Sequence, residues 1–454
     1  MELAETVATT DGSYVLHRRR SLVVLGHPRG KDVEVAVQTP PDTEESTERD
    51  EWHKPARRLS PFVLLCMVGF LGRLSYEMLR TPLTPLYAHY LGAPTQLIGL
   101  IVAAATITGI FIKMPSGALS DLFGVRRLMA LGTVVKATGP FLYLAVISWP
   151  QLLVVRFYHG LATALYSPPA SALVAKVYPK ERGRRLGLYG AFENAGVVSG
   201  PILGGVVLAT LGFSLTFVVS GAIGILAFLA MTRIPRDRHT VPERKTEPGR
   251  LGQALRGVAH GVREIAGDPL IRLVSLVEAV IWMGTGSLQA YLPLYATGLH
   301  IPIWEIGLLA GGQGVASVVS RPVLGRQSDR YGRRPLIIAG VVLCVLTLIA
   351  IPYMATFAAL LPLAILFGLG TGTVTPSTTA MIGDLVRRGN YGSAMGVFGS
   401  LWDVGHATGP VVFGFLVVAL GYRTSWLLLA LVMLAALLLF LVGTRGHRAL
   451  GNPA

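Results

Sequence analysis

Gly117-Ala118-Leu119-Ser120-Asp121-Leu122-Phe123-Gly124-Val125-Arg126-Arg127 is a charged turn set between two long apolar stretches. Gly325-Arg326-Gln327-Ser328-Asp329-Arg330-Tyr331-Gly332-Arg333-Arg334 repeats it between two more. Gly117 and Gly325 lie 208 residues apart, close to half of the 454-residue chain. A charged turn copied at that distance inside an apolar protein marks one half as a repeat of the other. Many secondary transporters are built this way.

The surrounding composition is that of a membrane protein. The chain is 52% hydrophobic and 14% charged, with a mean hydropathy of +0.56. Soluble domains carry about a quarter charged residues. Twelve apolar blocks run near 61–88, 97–116, 128–148, 150–172, 186–210, 213–232, 270–296, 305–324, 335–354, 356–380, 392–419 and 424–443. Each is long enough to cross about 30 Å of hydrocarbon as a helix. Backbone groups in lipid must be satisfied within the segment, so helix is the expected form. Most blocks have no polar face, which a soluble all-helical protein would need.

The net charge of +15 does not point to nucleic acid, because of where it sits. Arg126 and Arg127 follow block 2, and Lys180, Arg182, Arg184 and Arg185 follow block 4. Arg326, Arg330, Arg333 and Arg334 follow block 8, and Arg387 and Arg388 follow block 10. The alternate loops carry no Lys or Arg except Arg423. This bias predicts a cell-membrane protein with both termini cytoplasmic. Residues 1–60, with acidic Asp42, Glu44, Glu45, Glu48, Asp50 and Glu51, read as a disordered cytoplasmic tail, and residues 445–454 as a second short tail. Cys66 and Cys344 fall in apolar blocks of different halves and read as small buried hydrophobes.

The repeat extends beyond the turn. Pro85-Leu86-Tyr87-Ala88 matches Pro293-Leu294-Tyr295-Ala296, and Ile98-Gly99-Leu100 matches Ile306-Gly307-Leu308. Lys113 matches Arg321, and Pro168 matches Pro376, all at the offset of 208. The expected fold is therefore an all-α integral membrane protein with twelve transmembrane helices. They form two pseudo-symmetric six-helix bundles, 61–232 and 270–444, with the pathway at their interface. The linker 233–269 carries Leu251, Leu255, Val258, Val262 and Ile265 at helical spacing among Arg250, Arg256 and Arg263. It reads as a basic amphipathic helix on the cytoplasmic surface.

This arrangement resembles the major facilitator superfamily from residue 61 to 444. The first turn departs from the family pattern at Leu122 and Val125, where basic residues are usual; the second copy is fuller. The resemblance implies that these turns latch one state of the transport cycle. It assigns that gating role to Gly117, Asp121, Gly124, Arg126 and Arg127, and to Gly325, Asp329, Gly332, Arg333 and Arg334. Block 5 holds Gly187, Gly196, Gly200, Pro201, Gly204 and Gly205, which resembles the family's antiporter motif and implies export. Glycines one turn apart also flatten a helix face for close packing. A near copy in block 11, Gly396, Gly405, Gly409, Pro410 and Gly414, dilutes the directional signal. Arg156 with Gly160 resembles a family motif tied to proton coupling.

Ionisable side chains inside lipid are costly and mark function. Block 1 holds Arg73, Glu77 and Arg80 on one face. Glu77 is the expected proton-coupling acid, paired with either Arg and tuned by Arg156. A permanent structural ion pair is the bland alternative. Glu193 and Asn194, Glu278, Trp282, Thr285 and Gln289, and Trp402, Asp403 and His406 are expected to line one cavity between the halves. Acidic groups with Trp would suit a cationic amphipathic substrate; ordinary polar pairing between helices is the competing account. His159 reads as packing. Lys136 is expected away from the pathway, snorkelling to the interface.

The combined reading is a proton-coupled exporter of a small organic, drug-like compound, working by alternating access as a monomer in the lipid bilayer. A proton-coupled uptake symporter for a metabolite or organic anion stays open, as does a non-transporting membrane receptor. The sequence carries no Walker-type phosphate loop and no metal-ligand spacing. No enzymatic activity, cofactor or metal is expected.

Overall fold

The computed structural model describes residues 60–235, 259, 261–386 and 391–445, with four short strands within the first 38 residues. The side chains of 114–123 and 391–393 lie outside the described set. Where the sequence reading expects an unstructured tail, β1 (Thr6–Ala8), β2 (Tyr14–Arg18), β3 (Ser21–Leu25) and β4 (Val37–Gln38) pair antiparallel in that order. Ser21–Leu25, too short to anchor in a membrane, pairs along its length with Tyr14–Arg18. Branched residues such as Val15, Val23 and Val24 favour a pleated strand.

The remaining described residues are mainly helical. α1 spans Pro61–Tyr90 and is interrupted at Thr81, which leaves helical geometry before Pro82. Thr84 Oγ1 donates to Leu79 O at 2.5 Å and ties the break together. There follow α2 (Thr95–Phe123), α3 (Val125–Leu142) and α4 (Trp149–Val177). Arg182–Thr232 is divided at Gly212 into α5 (182–211) and α6 (213–232). The second half repeats this as α7 (Pro269–Gly298), α8 (Ile303–Tyr331), α9 (Arg333–Ala350) and α10 (Phe357–Leu385). Tyr391–Gly443 is divided at Gly421 into α11 (391–420) and α12 (422–443). Nine described stretches are long and apolar enough to cross a membrane. Two of these are the pairs divided at Gly212 and Gly421, and α4 completes twelve helices.

The turns show why the two halves share a sequence pattern. Gly124 and Gly332 carry φ of 83° and 92° between α2 and α3 and between α8 and α9. Gly212 and Gly421 carry φ of 74° and 75°. A side chain is strained there and glycine is not. The repeated tyrosines make the same bonds: Tyr87 donates to the carbonyls of Tyr143 and Val146, and Tyr295 to those of Ile351 and Met354. Each closes the end of the third helix of its half, where carbonyls lack helical partners.

The halves meet along α2 with α11 and α5 with α8. A Cβ on Gly205 would come within 2.8 Å of Gly307 Cα, and one on Gly307 within 2.7 Å of Pro201 O. Tyr291 of α7 crosses the seam, accepting from Gly99 N and donating to Thr95 O, both at 2.9 Å. Among the described residues, a Cβ on Gly187, Gly190, Gly325, Gly396 or Gly399 would meet no neighbour. The halves are thus tightly apposed toward the Gly212 and Gly421 turns and apart toward the Gly124 and Gly332 turns.

Of the linker, residues 261–267 are helical, with Ile265 buried and Val262 exposed. Leu251, Leu255 and Val258 lie outside the described residues. Cys66 and Cys344 are buried free thiols, as expected of small apolar side chains.

A central cavity as the candidate transport site

Between the halves lies a cavity of about 450 Å³, lined from both of them. Pockets for small organic molecules run from about 300 to 1,000 Å³. Its polar wall begins on α1. Glu77 is buried, and its Oε1 lies 3.4 Å from Arg73 Nη1 and 3.4 Å from Arg80 Nη1. The triad sits on the cavity because Gly196, Gly200 and Gly204 bring α5 onto the back of α1. A Cβ at Gly200 would fall 2.6 Å from Glu77 Cβ, and one at Gly204 2.5 Å from Met78 O.

The triad continues across the seam. Arg80 Nη2 lies 2.8 Å from His406 Nε2 on α11, and His406 Nε2 lies 2.9 Å from Gln289 Oε1 on α7. Thr106 of α2 reaches His406 Nδ1 at 3.4 Å. Lys113 of α2 pairs with Asp403 of α11 at 2.7 Å, a second link between halves. Trp282 and Trp402 stack 7° from parallel with centroids 5.8 Å apart, giving the cavity one flat aromatic wall.

The sequence profile of the Major Facilitator Superfamily matches residues 65–309 and 274–453. The chain belongs to the major facilitator superfamily. Multidrug resistance protein MdtG of Escherichia coli (strain SMS-3-5) is 28% identical over 374 residues, covering 78% of this chain and 87% of that one. An uncharacterized MFS-type transporter of Methanocaldococcus jannaschii is 24% identical over 370 residues, 81% of this chain and 92% of its own. Among solved structures, a bacterial homolog to the human lysosomal transporter Spinster, inward-facing and unoccupied, superposes with a TM-score of 0.73. It is 16% identical and covers 87% of this chain and 98% of that one. Nucleoside transporter NupG superposes with a TM-score of 0.70 at 15% identity, covering 85% of this chain and 100% of its own. These two structures share the fold. The protein is a multi-pass membrane transporter of this superfamily.

Within this superfamily fold, the predicted site residues separate into three groups. Arg73, Glu77, Arg80, Asn194, Trp282, Gln289, Trp402, Asp403 and His406 all reach the cavity. Glu193 and Glu278 do not line it. Glu278 is fully buried behind Trp282, accepting from Trp282 Nε1 at 2.8 Å and from Thr378 Oγ1 at 2.7 Å. Glu193 turns into the N-terminal bundle, against Gly69 and Tyr189. The expected acid-rich pocket for a cation is therefore not what the wall carries. Its basic residues are Arg73, Arg80, Lys113 and Arg321; its acids are Glu77 and Asp403. The periodicity that chose Glu193 and Glu278 was right about helix, but rotation about each helix axis decided which face met the cavity.

Arg156 also stands back from the wall. It is fully buried, and Nε and Nη2 donate to the carbonyls of Ile101 and Val102 at 3.3 and 2.9 Å. Gly160, one turn on, lets α4 approach Ala105 closely enough for those bonds. Arg156 thus ties α4 to α2, and its bonds go to that backbone rather than to Glu77. Lys136 does not snorkel. It is fully buried, with Nζ 4.0 Å from the Tyr166 ring centre and packed against Gly72. His159 packs against Tyr76 at 4.8 Å between ring centres and approaches Tyr143 Oη at 3.3 Å.

The antiporter glycines form a packing surface except Gly187, beside which a Cβ would meet nothing. At the turns, Arg126 donates to Thr232 O at 3.1 Å, and Arg334 to Leu441 O at 3.3 Å. Arg333 pairs with Asp329 and, at 3.4 Å, with Asp384. The Asp121 side chain lies outside the described residues. Sequence reading missed Lys113 and Arg321 as wall residues. Their match at the offset of 208 within otherwise apolar blocks was the available signal.

Proposed function

We propose that this chain exports a small organic compound across the cell membrane in exchange for inward-moving protons, with both termini cytoplasmic and the single chain as the working unit. The observation that carries this reading is Glu77, a buried carboxylate shared by Arg73 and Arg80 at the edge of the cavity. A proton on Glu77 removes the charge that holds both guanidinium groups. Arg80 is also the group that reaches His406 on the opposite half. Protonation therefore bears directly on a contact between the halves, which is what a coupling site in an alternating-access machine requires.

With this topology, the ends that stand apart face the cytoplasm, and the cavity is open for loading from that side. Closure there would bring the Asp329–Arg333 and Arg126 turns toward the seam, consistent with a gating role for both turns. One proton crossing the membrane gains about 2.3 kcal/mol per 100 mV. That is enough to sustain a useful substrate gradient.

Purified protein in sealed vesicles tests the reading. Substrate addition on the side of the loading mouth should release protons for antiport; uptake symport gives the opposite proton direction, and a receptor gives no flux. Glu77→Gln should abolish proton-driven exchange while leaving substrate-for-substrate exchange in place. Full coupling in that variant removes Glu77 from the mechanism.

A further inference from the structure

Lys113 and Arg321 stand 208 residues apart, at matching points of α2 and α8. Asn194 and Asp403 stand 209 apart, at matching points of α5 and α11, as do Gly196 and Gly405. The repeat therefore relates two cross-seam pairs. One is Lys113 with Asp403, an ion pair at 2.7 Å. The other is Arg321 with residue 194, where the acid is replaced by Asn. All four residues line the cavity.

Among the described residues, Arg321 makes no ion pair. Its one hydrogen bond is Nη2 to Ser317 Oγ at 3.5 Å, within its own helix, and its Nε has no acceptor. The acid in electrostatic range, Glu278, has its oxygens taken by Trp282 and Thr378. Two more wall residues have buried donors without an acceptor, Arg73 at Nε and Trp402 at Nε1. Guanidinium and indole N–H groups only donate. What these three donors lack is an acceptor.

We propose that Arg321 binds the anionic group of the transported compound, and that the substrate is an aromatic organic anion. Its carboxylate takes the place that Asp403 fills for Lys113, and its ring lies along the Trp282–Trp402 wall. Arg321 also borders an opening of about 570 Å³ lined by Thr375, Thr379 and Asp384. Arg321 is the basic residue that lines both this opening and the central cavity. A guanidinium presents a planar fork suited to a carboxylate. Loss of one charged hydrogen bond costs about tenfold or more in affinity.

This inference names the substrate class of the proposed exporter and so rests on that reading. Its test is equilibrium binding to the purified full-length chain in detergent, with no gradient present. The probes are 2-naphthoate, its neutral amide and 2-naphthylmethylammonium. Naphthoate should bind about tenfold more tightly than either of the others. Arg321→Gln should erase that advantage and leave amide binding intact, which also reports that the variant folds. Asn194→Asp should erase it too, by giving Arg321 the acid that the other pair has.

A preference for the ammonium probe, binding of none of the three, or an advantage that survives both variants overturns the proposal. So does displacement of naphthoate by chloride as readily as by unlabelled naphthoate, which would make the site one for inorganic anions. If the binding preference holds but vesicles show no proton exchange with naphthoate, the export reading fails and the anion site stands.

Discussion

The two halves of this transporter keep the same hinges and caps but not the same charges. Gly124 and Gly332, Gly212 and Gly421, and Tyr87 and Tyr295 do identical work at matching positions. The chemistry is divided. Arg73, Glu77 and Arg80 of α1 correspond to Ile281, Thr285 and Leu288 of α7. Arg156 corresponds to Ala364, and Lys136 to Cys344. The N-terminal half carries the charge triad, while the C-terminal half supplies Trp282, Trp402 and His406 to the opposite wall. Duplication preserved the hinges and caps, and divergence fell on side chains that face the cavity and on basic groups buried inside the N-terminal half.

The seam is where this comparison breaks most easily. Gly205 has its backbone against Gly307, and its counterpart Gly414 lies against Tyr291 Oη and Gln96 O. Adding bulk to a filled contact costs about 1–3 kcal/mol. Here the cost falls only on the state in which these ends are apposed. Gly205→Val and Gly414→Val should each slow transport by about tenfold or more. Gly187→Val, beside open space, should stay within about twofold of the wild type on the same scale. Vesicle uptake rates decide, and equal effects at all three positions would dissolve the distinction between packed and open ends.

Lys136 and Cys344 make the next comparison. At this point of the third helix, one half buries an amine whose Nζ has no hydrogen-bond partner, and the other buries a thiol. Gly72 makes room for the amine, and the Tyr166 ring is its closest compensation. A buried polar group without a hydrogen-bond partner carries an uncompensated desolvation cost of about 1–3 kcal/mol, which an apolar group of similar volume removes. Lys136→Met should therefore raise the unfolding temperature, measured by a thermal shift in detergent. A fall would show that the amine holds the bundle together.

Lys136 also shows where sequence stops being informative. The twelve blocks, the duplication and the turns were legible because they depend on composition and spacing, which lipid and backbone geometry enforce directly. A basic residue in an apolar block reads as snorkelling unless its face is known. That face is set by a gap at Gly72, on a helix more than sixty residues away in sequence. Lys113 and Arg321 were legible only as a matched pair of the repeat, because the face that each turns to the cavity depends on its neighbouring helices. Glu77 was legible because two arginines share its helix face. Glu278 was misplaced toward the cavity because its partner, Thr378, comes from α10.

Smaller effects test whether duplicated parts carry equal weight. Tyr87 and Tyr295 each satisfy carbonyls at the end of the third helix of their half. Removing either hydroxyl should cost about 1 kcal/mol. Tyr87→Phe and Tyr295→Phe should lower the melting temperature by the same small step, and the double variant should show their sum, since distant sites add. A much larger loss at Tyr87 would mean that the N-terminal half, with its packed rings of Phe213 and Phe217, is the weaker bundle.

The smallest effect is expected at the charged turns. Arg126 and Arg334 each donate to a carbonyl in the last turn of their half's sixth helix. A cation there satisfies an orphan carbonyl and meets the negative end of the helix dipole, together about 0.3–1 kcal/mol at a surface. Arg126→Gln and Arg334→Gln should scarcely move the melting temperature, and lysine should restore most of what is lost. Transport rate is the more sensitive readout. If these arginines serve only as caps, rate and stability will fall together by the same small factor. If they also lock the closed cytoplasmic side, the glutamine variants will lose rate at unchanged stability, and lysine, a point charge without the guanidinium fork, will not restore it.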